Sequence, residues 1–334
     1  MILDKDSSVL GYPGETSRKL DADHHNICKY NGSDDPNYVT VRNALKSLVS
    51  KTSSSSEPET PSKLSRSSSL DLKCLLAVTE LPDVDYHFFR DQWAPGTNEW
   101  LFKDQRYLDW AHEESVSSLL WLHGGAAAGK SVLSSFVINT LVEQGCSCQY
   151  FFVRFGDQSK RSLSLLLRSI AYQVARCEPK FLHKILELID EAIDFETADP
   201  RILWERVFKT ILFDMEGVQE LYWVIDGLDE ADDPQAFIRL LSDIFQSSTH
   251  IKVLLVGRPN PEIFHALQRV SKSSDPRWIE IEGREEDIRS YIDQELNMSG
   301  AAKVKEQIAE RIVARAQDNF LVSTATWRRN RRLV

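Results

Sequence analysis

The sequence predicts an α/β fold in which a parallel sheet carries helices on both faces, and three observations predict it. Short apolar, β-prone runs recur near Leu119, Tyr150, Tyr222, Val253 and Ile279. The stretches between them show helical spacing of apolar residues, an alternation that builds parallel sheets. Finally, chemistry-bearing residues sit directly after three of these runs, at the C-terminal strand tips where open α/β sheets place ligands.

The first run, ending at Trp121-Leu-His123, leads into Gly124-Gly-Ala-Ala-Ala-Gly-Lys-Ser131. That segment fits G-x-x-x-x-G-K-[ST] and predicts a phosphate-binding loop made of Gly124, Gly125, Ala126, Ala127, Ala128, Gly129, Lys130 and Ser131. Glycines let backbone N–H groups turn toward phosphate oxygens. Lys130 is long enough to reach the β and γ phosphates, and the Ser131 hydroxyl suits Mg2+. The expected ligand is a nucleoside triphosphate, ATP or GTP, with Mg2+.

After the second run, Leu163, Leu166, Leu167, Ile170 and Val174 fall on one helical stripe, and similar stripes over Phe181 to Ile193 and Leu203 to Leu212 predict a helical insertion. The third run, Leu221-Tyr-Trp-Val-Ile-Asp226, reads as a strand buried on both faces and ends in an acid, with Asp229 and Glu230 close behind. Asp226 is expected to hold the Mg2+ shell with Ser131, and Asp229 or Glu230 to orient the attacking water. A solvated turn is the competing reading of these acids. Phe237, Leu240, Leu241 and Ile244 then resume helical spacing, and Ile251-Lys-Val-Leu-Leu-Val-Gly257 predicts a fourth strand. Arg258 follows it, placed either to sense a γ phosphate or to form a surface ion pair.

These blocks resemble the NACHT class of STAND P-loop NTPases, in the nephrocystin-like form common in fungal NLR-type proteins, over roughly Phe89 to Phe320. Gly96-Thr-Asn-Glu-Trp-Leu101 is similar to the family's lead-in, Tyr150-Phe-Phe-Val-Arg154 to its second strand, and Ile279 to Ile292 to its last core strand and following helix. The resemblance implies the strand order 5-1-4-3-2, which brings Lys130, Asp226 and Arg258 to one sheet edge. It also implies a signalling switch whose nucleotide state controls self-association or a protein partner. Two departures stand out. Ala126 and Ala127 replace the family's proline and inner glycine, costing the loop a rigid turn and adding a Cβ beside the phosphates. The family's winged-helix and repeat segments are not legible in these residues, and a truncated C-terminal part is expected.

Composition fits one or two ordinary globular domains: 334 residues, 42% hydrophobic, 27% charged, with a formal charge of -10. No signal peptide or long apolar run is legible, so a cytoplasmic location without membrane partners is expected. The five cysteines are odd in number and lack C-x-x-C spacing, which reads as reduced thiols. An isoelectric point near 5.4 gives no general reason to bind nucleic acid, and no nucleic-acid partner is expected.

Composition shifts set the expected domains. Residues 1–46 resemble the end of an α/β-hydrolase-like region, with His24 nearest the family's triad histidine; no G-x-S-x-G exists to complete it. A Ser-rich disordered linker is expected over 47–70, lead-in helices over 71–116, the NTPase core over 117–297, and a truncated helical segment with a basic tail over 298–334. Function is thus expected to be nucleotide binding with slow hydrolysis by a signalling switch. The alternative is a nucleotide-binding scaffold or fragment with little turnover, acting through protein contacts.

Overall fold

The chain divides into two units, Met1–Ser65 and Arg66–Val334. The computed structural model describes residues 72–113, 117–190, 194–270, 277–282, 284–295 and 310, all in the second unit. The hydrolase-like segment, the serine linker and the basic tail lie outside the described residues.

Five strands form one parallel sheet: β1 (Ser118–His123), β2 (Ser147–Phe152), β3 (Leu221–Asp226), β4 (Ile251–Gly257) and β5 (Arg277–Glu280). Their order, β2-β3-β4-β1-β5, is the expected one read from the other edge. Helices α1 (Asp83–Arg90) and α2 (Gln105–His112) precede β1, and α3 (Lys130–Glu143) follows it. Between β2 and β3 lie α4 (Leu163–Cys177), α5 (Pro179–Asp190) and α6 (Pro200–Leu203), the last continuing as a π-helix over Trp204–Leu212. The remaining helices are α7 (Pro234–Leu241), α8 (Pro261–Val270) and α9 (Glu285–Glu295).

Successive strand residues point to opposite faces, so the sheet divides the core in two. Leu119, Trp121, Trp223, Ile225, Val253 and Leu255 pack with α4, α5, the π-helix, α7 and α8. Leu120, Leu122, Val224, Leu254, Val256 and Ile279 pack on the other side with α2 and α3. A sheet covered twice needs strands that are mostly apolar, and β1, β3 and β4 are buried along their whole length, with Lys252 of β4 as a charged exception inside a strand. The expected helical stripes are borne out over the described residues, with refinements: α5 covers Phe181 to Asp190, Ile244 falls in a separate 3-10 turn after α7, and the Leu203 to Leu212 stripe opens as a short α-helix and widens into the π-helix, whose Trp204, Val207, Phe208, Ile211 and Leu212 are all buried.

Three ties fix the C-terminal edge of the sheet. Asp226 stands in register with Val256 and with Phe152, and His123 with Gly257. The Gly124 amide donates to the Gly257 carbonyl at 3.2 Å and the Gly227 amide to the Val256 carbonyl at 2.9 Å. The segments leaving β1, β3 and β4 therefore emerge side by side.

Candidate functional site

The loop from Gly124 turns into α3 with two backbones in left-handed conformation, Ala127 at φ 66° and Gly129 at φ 80°. Gly129 takes that conformation without steric cost; Ala127 does not, because its Cβ crowds the following carbonyl. Gly124 is required for a different reason: a Cβ there would lie 2.8 Å from the Ile281 carbonyl oxygen. The loop thus delivers its chain to the N-terminus of a fourteen-residue helix, where unpaired N–H groups and the helix dipole favour an anion.

Lys130 opens that helix. Its Nζ donates to the carbonyls of Gly124, at 3.0 Å, and Gly125, at 2.6 Å, which leaves one of three ammonium protons for a phosphate oxygen. Burial pulls its pKa below the ordinary lysine range, and the positive charge of Arg258 acts the same way. Asp226, Asp229 and Glu230 act in the opposite direction. Lys130 is a half-buried cation: its desolvation is what an anionic ligand would offset, and the three carboxylates already supply part of that compensation.

Asp226 is buried at the tip of β3 and accepts two hydroxyl hydrogen bonds. Ser131 Oγ donates to Oδ2 at 2.6 Å and Ser134 Oγ to Oδ1 at 2.8 Å. Desolvation raises the Asp226 pKa to about 6, against the lowering effects of Ser131, Ser134 and Lys130. Among the described residues no cluster of three or more His, Cys, Asp or Glu is placed to hold a metal. The Ser131 hydroxyl and the Asp226 carboxylate are hard oxygen donors. Two such protein groups fit Mg2+, which keeps several waters and takes further ligands from a phosphate chain, better than they fit a metal needing an all-protein cage.

Asp229 and Glu230 occupy a short 3-10 turn, Leu228–Glu230. Gly227 makes it possible, at φ 74° and so close to β2 that a Cβ would stand 2.6 Å from the Val153 carbonyl oxygen. Asp229 Oδ1 accepts from the Arg258 amide at 2.9 Å, and Oδ2 lies 3.6 Å from the Arg258 side chain. Glu230 Oε1 lies 3.6 Å from the same guanidinium, while Oε2 accepts from the Phe155 amide at 2.7 Å. Arg258 is thus half exposed and ion-paired, as the surface-pair reading expects, and it lines the cavity with the two acids.

A cavity of about 1240 Å3 runs over this edge, lined by residues 127–132, Asp226, Asp229, Glu230 and Arg258. Of the remaining loop residues, Gly124 and Gly125 hold Lys130 through their carbonyls, and Ala126 is exposed outside the cavity lining. Phe155, Gly156 and Arg154, from the loop after β2, line the far side with Phe88 and Phe89 of α1. There Arg154 stacks over both phenyl rings and pairs with Asp85, which also takes Lys160 at 2.6 Å. Ser134, Gly227 and Phe155 carry no signal in the motifs. Ser134 falls three residues past the motif and was legible only as a buried helical serine; the Phe155 contact is made by a backbone amide, which any residue supplies.

Residues 96–258 match the family described as Nephrocystin 3, N-terminal. Among solved structures, replication initiator DnaA bound to AMPPCP and single-stranded DNA is 12% identical with a TM-score of 0.40, and the match covers 72% of this chain and 63% of that one. The Aeropyrum pernix ORC1 protein in complex with DNA is 13% identical, with a TM-score of 0.46 and coverage of 68% and 57%. Drosophila ORC bound to DNA is 12% identical, with a TM-score of 0.47 and coverage of 85% and 66%. The chain thus spans under two thirds of the length of the DnaA it matches. No curated protein matches the sequence. The hydrolase-like reading of residues 1–46 gains no support from these comparisons.

One expectation is corrected. The charge balance is no ground for excluding nucleic acid as a partner, and the three solved structures just named are themselves bound to DNA. The physical reason is that a net charge averages over the whole surface, whereas phosphate contacts need only a local basic patch. Among the described residues no helix is long and apolar enough to cross a membrane.

Proposed function

We propose, for a chain whose residues 96–258 form a nephrocystin-like P-loop NTPase domain, that it binds a nucleoside triphosphate with Mg2+ and hydrolyses it slowly. The observation that carries this reading is the convergence of Lys130, the Ser131–Asp226 pair and the Arg258–Asp229–Glu230 cluster on one cavity. Loop amides and Lys130 hold the phosphates. Ser131, its hydroxyl donating a hydrogen bond to Asp226, would present its oxygen lone pairs to the metal. Bound Mg2+ would neutralise charge on the phosphate oxygens. Glu230 or Asp229 orients water, and Arg258 answers to the γ phosphate. Slow turnover fits the engagement of both acids with Arg258, which must be given up before either reaches water.

On this reading nucleotide state acts as a cytoplasmic signalling switch, exchanging Arg258 between the acids and the γ phosphate, with self-association or a protein partner as output. ATP is the favoured ligand, with GTP the competitor. A second reading, a binding scaffold with little turnover, is favoured by one observation: Ala127 holds a left-handed backbone that the family's glycine adopts freely.

The deciding experiment is thermal unfolding of the full chain with Mg2+-ATP, Mg2+-ADP or Mg2+-GTP, beside Lys130→Ala. Ligand at about 100 times its Kd adds roughly 2.7 kcal/mol of stability. A shift with one base that disappears in Lys130→Ala supports the site and names the base; an equal shift in the variant overturns it. Multiple-turnover phosphate release then separates switch from scaffold.

A further inference from the structure

We propose that Ser134 is a positioning residue for the metal site, holding the Asp226 carboxylate in the orientation that lets it accept the Ser131 hydrogen bond. The inference rests on the nucleotide-binding reading above and adds a residue that the P-loop motif does not contain.

Ser134 lies in the second turn of α3, three residues beyond Ser131, so both hydroxyls share a helix face. It is completely buried, at 0% exposure. A serine in a buried helix interior is a poor choice for the helix itself, since alanine has higher propensity and no hydroxyl to desolvate. Its neighbour Ser135 meets that cost in the ordinary way, by donating to the Val132 carbonyl at 2.7 Å. Ser134 has the equivalent acceptor within reach, the Lys130 carbonyl at 3.1 Å, but also reaches Asp226 Oδ1 at the shorter 2.8 Å. One hydroxyl proton serves one strong bond, and the shorter contact to a carboxylate takes it.

The two serines divide the carboxylate between them. Ser134 occupies Oδ1 from inside the core and Ser131 occupies Oδ2 at the cavity side. With Oδ1 held, rotation of the carboxylate about its bond to Cβ is stopped, and Oδ2 stays aimed at Ser131. Without that bond the buried group is free to turn, and Ser131 loses the acceptor that orients its lone pairs. Ser134 touches neither phosphate nor metal on this account; it acts through Asp226.

The test measures binding of a non-hydrolysable ATP analogue, AMPPNP, to the full chain by calorimetry, first in EDTA and then over a Mg2+ titration. In Ser134→Ala, AMPPNP affinity in EDTA stays at the wild-type value, while the Mg2+ concentration needed for half of the metal-dependent tightening rises about tenfold, the size of a lost bond to a charged group. Ser134→Cys keeps the volume with a weaker donor and falls between, and it also stands in if the alanine variant does not fold. A wild-type Mg2+ requirement in both variants overturns the proposal. So does an equal loss of affinity with and without metal, which marks Ser134 as simple packing. Failure of the wild-type chain to bind, or binding unchanged in Lys130→Ala, overturns the nucleotide reading itself and is told apart from a fault at Ser134 by that control.

Discussion

Ser131 and Asp226 stand 95 residues apart in sequence and share a hydrogen bond of 2.6 Å, with the hydroxyl donating to Oδ2 of the carboxylate. The bond joins the start of α3 to the tip of β3 and closes the proposed metal site at its base. It also keeps a buried acid more ionised than its surroundings favour: desolvation is the largest influence on Asp226, and the two serine hydroxyls are the largest opposing ones.

That balance gives a pH dependence with a fixed sign. The Asp226 pKa is raised to about 6 from an ordinary value of 3.8, so the folded chain binds this proton more tightly than the unfolded chain. The stability it contributes is present below about pH 4 and lost as pH rises through 6. Asp226→Asn, which removes the charge, is expected to be more stable than wild type by about 1–3 kcal/mol at pH 7.5 and by little at pH 3.5. Paired thermal melts across that range check it. Mg2+-dependent nucleotide binding should run the other way, strengthening from pH 5 to 7 in wild type as the carboxylate forms, and should be absent in the variant.

Ala127 supplies a second test. Relieving a left-handed alanine recovers about 1–2 kcal/mol of steric cost, and the extra freedom of glycine in the unfolded chain takes back about 0.5–1. Ala127→Gly should therefore stabilise the chain by up to about 1 kcal/mol in chemical denaturation. Removing the Cβ beside the phosphates should also tighten nucleotide binding. A less stable variant would mean that the Cβ makes contacts worth more than the strain.

Glu230→Gln addresses the chemistry. A glutamine oxygen still accepts from the Phe155 amide, whose bond to Glu230 measures 2.7 Å, so the turn should keep its shape. Nucleotide binding is expected to stay near wild type while phosphate release falls about a hundredfold. If release is unchanged, Asp229 becomes the group that orients water.

Much of this candidate site is legible in the sequence. Lys130, Ser131, Asp226 and Arg258 follow apolar runs, and once those runs lie parallel in one sheet their C-terminal ends must share an edge. The strand order came from resemblance, because the apolar runs themselves carry no information about which neighbours pair. Two of the contacts that stayed hidden have a common cause. Ser134 and the Phe155 amide act through contacts between segments distant in sequence, 92 and 75 residues apart, and neither residue type is unusual where it stands. The π-helix was hidden for a different reason: its apolar stripe fits ordinary helical spacing, and the wider turn shows only in backbone bonds five residues apart, such as the Phe213 amide to the Phe208 carbonyl at 2.8 Å.

Gly227 offers the sharpest test of how the turn is held, because two independent effects act there in the same direction. Its φ of 74° disfavours any L side chain, and a Cβ would meet the Val153 carbonyl oxygen at 2.6 Å, inside contact distance of backbone that cannot swing away. Val153 is itself tied to β3, its amide donating to the Asp226 carbonyl at 2.8 Å, so the clash is passed straight to the metal-site strand. Gly227→Ala is expected to lose about 2–4 kcal/mol in chemical denaturation and to weaken Mg2+-dependent binding with it. Gly125→Ala is the control: a Cβ there meets nothing within 4 Å, and its stability should change by less than about 0.5 kcal/mol. Equal losses in both variants would show that loop glycine content, rather than the approach of Gly227 to Val153, sets the stability of this edge.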